Sequence, residues 1–214
     1  MEDFDYFDEL LAADADSFPI FDDEDAHIEP EISSRALKRR LKQNLKKLGQ
    51  RDELRDLIKE LPAPGEQIHI VSKGKFNFWT FCPVISELLG RPIEKLYCGT
   101  WVVNIQGVKE CLQMIDAGLV KKCYWLVGKY LKNREPSVFY QLTDGIRKRD
   151  AGYVKAIETH AKLMLIEAPP FYLSLTGSAN MSENKRVEDT QVTNDLDVYQ
   201  FYQLLFDESK GAQW

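Results

Sequence analysis

Beyond Pro62-Ala63-Pro64-Gly65 the chain alternates strand-length apolar runs with helix-length amphipathic stretches, a pattern buried by laying helices across a sheet. Gln67 to Val71 has strand length, Phe78 to Leu89 is a helix stopped at Gly90, and Lys95 to Trp101 is a strand. Asn104 caps a helix running to Gly118, and Cys123 to Val127 is a buried strand. Ser137 to Lys148 is helical after the Glu135-Pro136 boundary. Lys162 to Ile166 and Tyr172 to Thr176 pair around Ala168-Pro169-Pro170, and Asn194 or Asp195 opens an amphipathic helix to about Glu208. The expected class is α/β, a sheet covered by helices on both faces.

What precedes this body differs in charge. Residues 1–32 hold 13 acids and no Lys or Arg, residues 33–60 hold ten basic and four acidic side chains, and residues 61–214 hold 18 and 17. The net charge of −6 therefore belongs to the tail, and the acidic balance does not exclude a polyanionic substrate. Residues 1–32 also carry Phe4, Tyr6, Phe7, Phe18 and Phe21, the composition of an interaction tail that docks on a protein partner or lies in the chain's own basic groove; a solvating terminus is the alternative. Residues 33–61 form a basic helical arm. Leu37, Leu41, Leu45 and Leu48 make one stripe, Leu54, Leu57, Ile58 and Leu61 a second, and Arg35, Lys38, Arg39, Arg40, Lys42, Lys46 and Lys47 lie off the first. Residues 66–214 form the α/β domain.

No apolar run reaches the ~18–20 residues of a membrane span, and the start is acidic rather than basic, so the expectation is a soluble, cytoplasmic protein without membrane contact. Cys82, Cys98, Cys111 and Cys123 show no Cys-x-x-Cys pair and no histidine at ligand spacing. They read as reduced core residues, with no metal site and no cofactor expected.

Among three histidines, His27 falls in the tail and His69 in a strand, whereas His160 stands two residues before Lys162 at the start of an apolar strand. In extended backbone both side chains project to one side. Glu167 closes that strand, and one hairpin later comes Thr176-Gly177-Ser178-Ala179-Asn180, with a glycine that lets backbone approach a ligand. These groups suit phosphate chemistry: Lys162 supplies charge, Ser178 and Asn180 supply donors, and neutral His160 attacks phosphorus. With no Walker pattern and no acidic metal cluster in the sequence, the mechanism read from these residues is covalent and metal-free.

His160-x-Lys162, the acid Glu167, then Gly177-Ser178-x-Asn180 resembles the signature of the phospholipase D superfamily, in particular its compact members with a single motif. The resemblance spans about Gln67 to Glu208. Gly99-Thr100-Trp101 through Asn104, Lys132-Asn133-Arg134-Glu135-Pro136 and Asn184-Lys185-Arg186-Val187-Glu188 are similar to a phage and bacterial branch of that family. Glu167 stands where the family has Asp, and nine residues rather than about six separate it from Gly177.

The resemblance implies a mixed sheet between helices and a metal-independent phosphodiesterase working through a phosphohistidine on His160. Lys162, Ser178 and Asn180 would hold the phosphate, Glu188 would orient His160, and Gly177, Lys132 and Arg134 would contact substrate. A second histidine must protonate the leaving oxygen, and because neither His27 nor His69 is followed by Lys at the required spacing, it must come from a second chain in a C2 homodimer. Nucleic acid is favoured over lipid, and DNA over RNA, with Lys129, Lys132, Arg134, Arg147, Lys148 and Arg149 as a basic lining. The expected setting is the cytoplasm of a bacterial cell, the protein encoded by the cell or by a phage. The rival readings are a catalytically silent nucleic-acid-binding or assembly protein and a phospholipase.

Overall fold

The computed structural model describes residues 49–182 and 186–211, with side chains placed to Ser209; the tail 1–32 and residues 33–48 of the basic arm lie outside the described residues. Residues 49–58 are helical (α1). There follow β1 (Gln67–Lys73), a 3-10 turn (Phe78–Thr80) leading into α2 (Phe81–Leu89), β2 (Ile93–Thr100), α3 (Ile105–Asp116), β3 (Val120–Gly128), α4 (Lys129–Arg134) and α5 (Pro136–Lys148). Then come β4 (Gly152–Ile157), β5 (Leu163–Ala168), β6 (Phe171–Gly177), β7 (Val187–Asn194) and α6 (Leu196–Gly211).

The strands form one mixed sheet in the order β1-β7-β6-β5-β2-β3-β4, with β2, β3 and β4 parallel and the remaining pairs antiparallel. Alternation along the strands sends Leu96, Cys98, Cys123, Trp125, Met164, Ile166, Leu173 and Leu175 to one face, against α1, α2, α3 and α5. Tyr97, Leu126, Leu163 and Leu165 point to the other, where Tyr199 and Phe206 of α6 cover them. Helices on both faces, as expected, explain why β5 reads Leu-Met-Leu-Ile with no polar interruption. Leu54 and Ile58 of α1 are buried in the larger core, so the described end of the 33–61 segment packs as part of this body. Among the described residues no helix is long and apolar enough to cross a membrane.

Local rules hold where the chain turns. Asn104 caps α3 by accepting from the Gly107 amide at 2.8 Å, and Asp195 caps α6 by accepting from the Asp197 and Val198 amides at 2.9 and 3.0 Å. Asn194 does other work: buried, it donates to the Pro62 carbonyl at 2.9 Å and accepts from the Tyr172 amide at 3.2 Å, tying the breaker before β1 to the sheet. All four cysteines are buried and free, their thiols held above the ordinary value. Desolvation is the leading cause except at Cys111, where the Cys123 thiol 3.7 Å away comes first.

Beneath α6 the sheet carries a layer of tyrosines. Burial pushes the Tyr97, Tyr153 and Tyr199 phenols above their ordinary value, Tyr153 to about 12. Raised pKa values mean that the neutral phenols stabilise the fold fully below about pH 10, and that contribution is lost as pH rises through about 12. An alkaline titration followed by tyrosinate absorbance and circular dichroism is expected to show one set of tyrosines ionising near pH 10, and another ionising above it together with loss of structure. Ionisation of all tyrosines near pH 10 with the fold intact would contradict this packing.

Candidate functional site at the carboxyl ends of the parallel strands

β2, β3 and β4 end on the same edge of the sheet at which β5 and β7 begin and β6 ends. In open α/β sheets the edge beyond the carboxyl ends of parallel strands is where ligands bind. The β5–β6 ladder sets Leu163 opposite Thr176 and continues one step further, the Gly177 amide donating to the Lys162 carbonyl at 3.3 Å. The β6–β7 ladder sets Gly177 opposite Thr190, and the Ser178 amide donates to the Asp189 carbonyl at 3.1 Å. Register alone thus brings Lys162, Gly177, Ser178 and the start of β7 side by side, at the ~5 Å spacing of paired strands.

Gly177 is required by this register. A Cβ there would stand 2.4 Å from the Asp189 carbonyl oxygen and 3.1 Å from Thr190 Oγ1. The Ser178 hydroxyl donates to the Glu188 carboxylate and accepts from the Asp189 amide at 3.1 Å. Glu188 is 9% exposed and points to the side of the sheet that carries the larger core, where a carboxylate needs partners to remain buried. Asn180, in the loop after Ser178, has its carboxamide oxygen buried without a hydrogen-bond partner among the described residues. A buried orphan of this kind costs about 1–3 kcal/mol.

His160 and Lys162 lie in the loop before β5, not within the strand as the sequence suggests. His160 is exposed, and the Lys162 ammonium donates to the His160 backbone carbonyl at 2.7 Å. The imidazole stacks on the Trp101 indole, with centroids 4.9 Å apart and planes 22° from parallel. That contact, rather than one with Glu188, is the ring's neighbour among the described residues. Trp101 follows β2 in a loop braced against the Ser178–Met181 segment: Val103 bridges to Met181, the Asn104 amide donates to the Met181 carbonyl at 3.2 Å, and the Met181 amide to Thr100 Oγ1 at 3.4 Å.

Glu167 is not brought to this group. It sits five residues along β5 from Lys162, about 16 Å at strand rise, and its carboxylate accepts from Lys95 Nζ at 3.1 Å and from the Tyr199 hydroxyl at 2.9 Å. A half-exposed ion pair such as that with Lys95 contributes ~0–1 kcal/mol, whereas a hydrogen bond from a buried phenol to a carboxylate contributes about 1.5–3, so Glu167 chiefly anchors α6. The expected basic lining divides. Lys129, Lys132 and Arg134, on the helix that begins where β3 ends, stand at the site's edge, with Lys129 paired to Glu158 at 3.3 Å and Lys132 over the Phe139 ring at 5.9 Å. Arg147, Lys148 and Arg149 precede β4 and lie at the opposite edge, where Arg149 is bound to both oxygens of Asp116. Sequence reasoning gave no role to exposed Lys73, which ends β1 at the site's edge, or to Trp101 beyond its place in a flanking motif. Among the described residues no group of three or more His, Cys, Asp or Glu side chains could hold a metal ion.

No protein-family model and no curated protein matches the sequence. Solved structures do match. Polyphosphate kinase from Porphyromonas gingivalis superposes with a TM-score of 0.51 at 16% identity, over 67% of this chain and 26% of the kinase, so the chain spans about a quarter of that protein. The archaeal chromatin protein TrmBL2 gives 0.48 at 14% identity over 86% of this chain and 68% of its own, and NucT from Helicobacter pylori gives 0.47 at 12% over 67% and 95%. The likeness to the kinase is one of fold, and it agrees with the expected α/β architecture of a mixed sheet between helices.

Gly177→Ala forces the new methyl against backbone rather than a movable side chain, and is expected to cost ~1–3 kcal/mol in urea unfolding. An unchanged unfolding midpoint would mean that the β6–β7 approach is looser than described.

Proposed function

We propose that the chain is a metal-independent phosphodiesterase acting on nucleic acid, most simply an endonuclease, with His160 as nucleophile. The reading rests on one observation: the ladder that sets Lys162 opposite Gly177 gathers an exposed imidazole, an ammonium and a hydroxyl on the carboxyl edge of the sheet. A phosphodiester is anionic and repels nucleophiles, so cationic and hydrogen-bond donors must neutralise its oxygens as the reaction proceeds. Lys162 supplies charge, the Asn180 amide nitrogen supplies a donor, Ser178 turns its one hydroxyl proton from Glu188 to the phosphate when substrate binds, and Lys132 and Arg134 extend the cationic edge. Glu188 acts through Ser178, whose hydroxyl it holds.

In the first step a ring nitrogen of His160 attacks phosphorus, the bond to the leaving oxygen breaks, and that oxygen takes a proton from a second imidazole. In the second step the same imidazole removes a proton from water as the water's oxygen attacks phosphorus, breaking the phosphorus–nitrogen bond and restoring free His160. His69 cannot supply this group, since it faces out from mid-strand in β1, beyond β6 and β7. We assign the role to His160 of a second chain in a C2 dimer with one shared cleft.

Purified protein incubated in EDTA with plasmid, single-stranded DNA, RNA and phosphatidylcholine is expected to cleave nucleic acid and spare the lipid. A strict requirement for added Mg²⁺ or Mn²⁺ would reject the mechanism, head-group release alone would make the protein a phospholipase, and salt-dependent binding without turnover would make it a binding protein. His160→Ala is expected to lose at least ~10³-fold in rate. When parent and His160→Ala chains are co-refolded in equal amounts, a shared cleft leaves about a quarter of the activity, because only dimers of two parent chains hold both imidazoles. Retention of half would show that one His160 suffices.

A further inference from the structure

We infer that Trp101 is the positioning residue for His160, setting the plane of the imidazole from which attack on phosphorus occurs; the inference rests on the phosphodiesterase reading above. A nucleophilic histidine uses a lone pair lying in the plane of its ring, so the direction of attack is fixed by how the ring is turned about its Cβ–Cγ bond. That torsion has a broad, soft profile unless something fixes it. His160 lies in a loop, is exposed, and its ring contact among the described residues is the Trp101 indole at 4.9 Å and 22°. A stacked partner holds the plane of the imidazole while leaving both nitrogens at the open ring edge, where a phosphodiester can reach one and a proton donor or acceptor the other. A carboxylate on the second nitrogen would also orient the ring, but Glu188 holds the Ser178 hydroxyl instead.

The indole is itself held from three sides. Tyr130 packs on it at 4.7 Å between centroids. Gly128 lies so close beneath that a Cβ would come within 2.5 Å of Trp101 Cδ1 and 2.8 Å of the Trp101 carbonyl oxygen, so the glycine is what lets the loop settle onto the end of β3. The bridge from Val103 to Met181 then fixes the same loop to the segment that carries Ser178 and Asn180. Trp101 thereby ties the nucleophile to the groups assigned to the phosphate, and a loss of alignment between the two lowers the rate of the chemical step more than the binding of substrate.

Two substitutions separate stacking from space filling. Trp101→Phe keeps a planar face and is expected to retain most of the parent's kcat, whereas Trp101→Leu keeps apolar bulk without a ring plane and is expected to lose up to about 100-fold in kcat with KM little changed. Proton NMR of the His160 ring reads the geometry independently of turnover. Protons stacked over an indole resonate upfield, and the shift is expected to persist in part in Trp101→Phe and to vanish in Trp101→Leu, with the dispersion of the remaining amide signals showing that each variant is folded. A folded Leu variant that cleaves as fast as the parent, or whose His160 ring signals stay where they were, overturns the role of Trp101. A parent whose His160 signals depend on Trp101 but which cleaves no phosphodiester overturns the phosphodiesterase reading, and the positioning role falls with it.

Discussion

The close approach of β6 to β7 at Gly177 is the contact on which the site depends. With no side chain in the way, the backbone there reaches within van der Waals range of the Asp189 carbonyl, and the ladder continues past the end of β6 to Ser178. Because side chains alternate with period two, a slip of β7 by one residue would turn Glu188, Thr190 and Val192 out of the interior and take the Glu188 carboxylate away from Ser178. On its other side β6 extends its pairing to Lys162, so one strand end aligns residues from two distant stretches of sequence.

Much of this organisation is legible in the sequence where burial is apolar and the punctuation is strong. β1, β2, β3, β5 and β6 each show an apolar run bounded by turn or cap residues, and Gly90, Asn104 and Pro136 mark helix boundaries where the structure has them. β7 escapes notice for a physical reason: its inward residues are Glu188, Thr190, Val192 and Asn194, so three of its four buried positions are polar and no hydrophobic alternation appears. β4 is hidden by Lys155 at its centre, whose ammonium is bound to the Ser209 carbonyl of α6. With β7 hidden, nothing in the sequence shows that Glu188 is buried on the inner side of a strand.

Motif spacing located the polar cluster but could not say which members touch. His160, Lys162, Gly177, Ser178 and Glu188 share one edge because three strand ends meet there. Glu167, equally close in sequence, is carried about 16 Å away by the strand that follows Lys162. The Trp101 stack could not be read at all, since it joins the loop after β2 to the loop before β5 and depends on Gly128 from a third strand end.

One face of the sheet is closed by a helix that follows all seven strands in chain order. As the chain emerges from the ribosome, the core against α1, α2, α3 and α5 can assemble while Tyr97, Leu126, Leu163 and Leu165 still face water, because their cover, Tyr199 and Phe206, has not been made. At ~5–20 residues per second the stretch from the end of β5 to Phe206 takes seconds to synthesise, long enough for a nascent sheet to meet another. Until α6 docks, the sheet presents an apolar, tyrosine-rich surface that the folded chain covers.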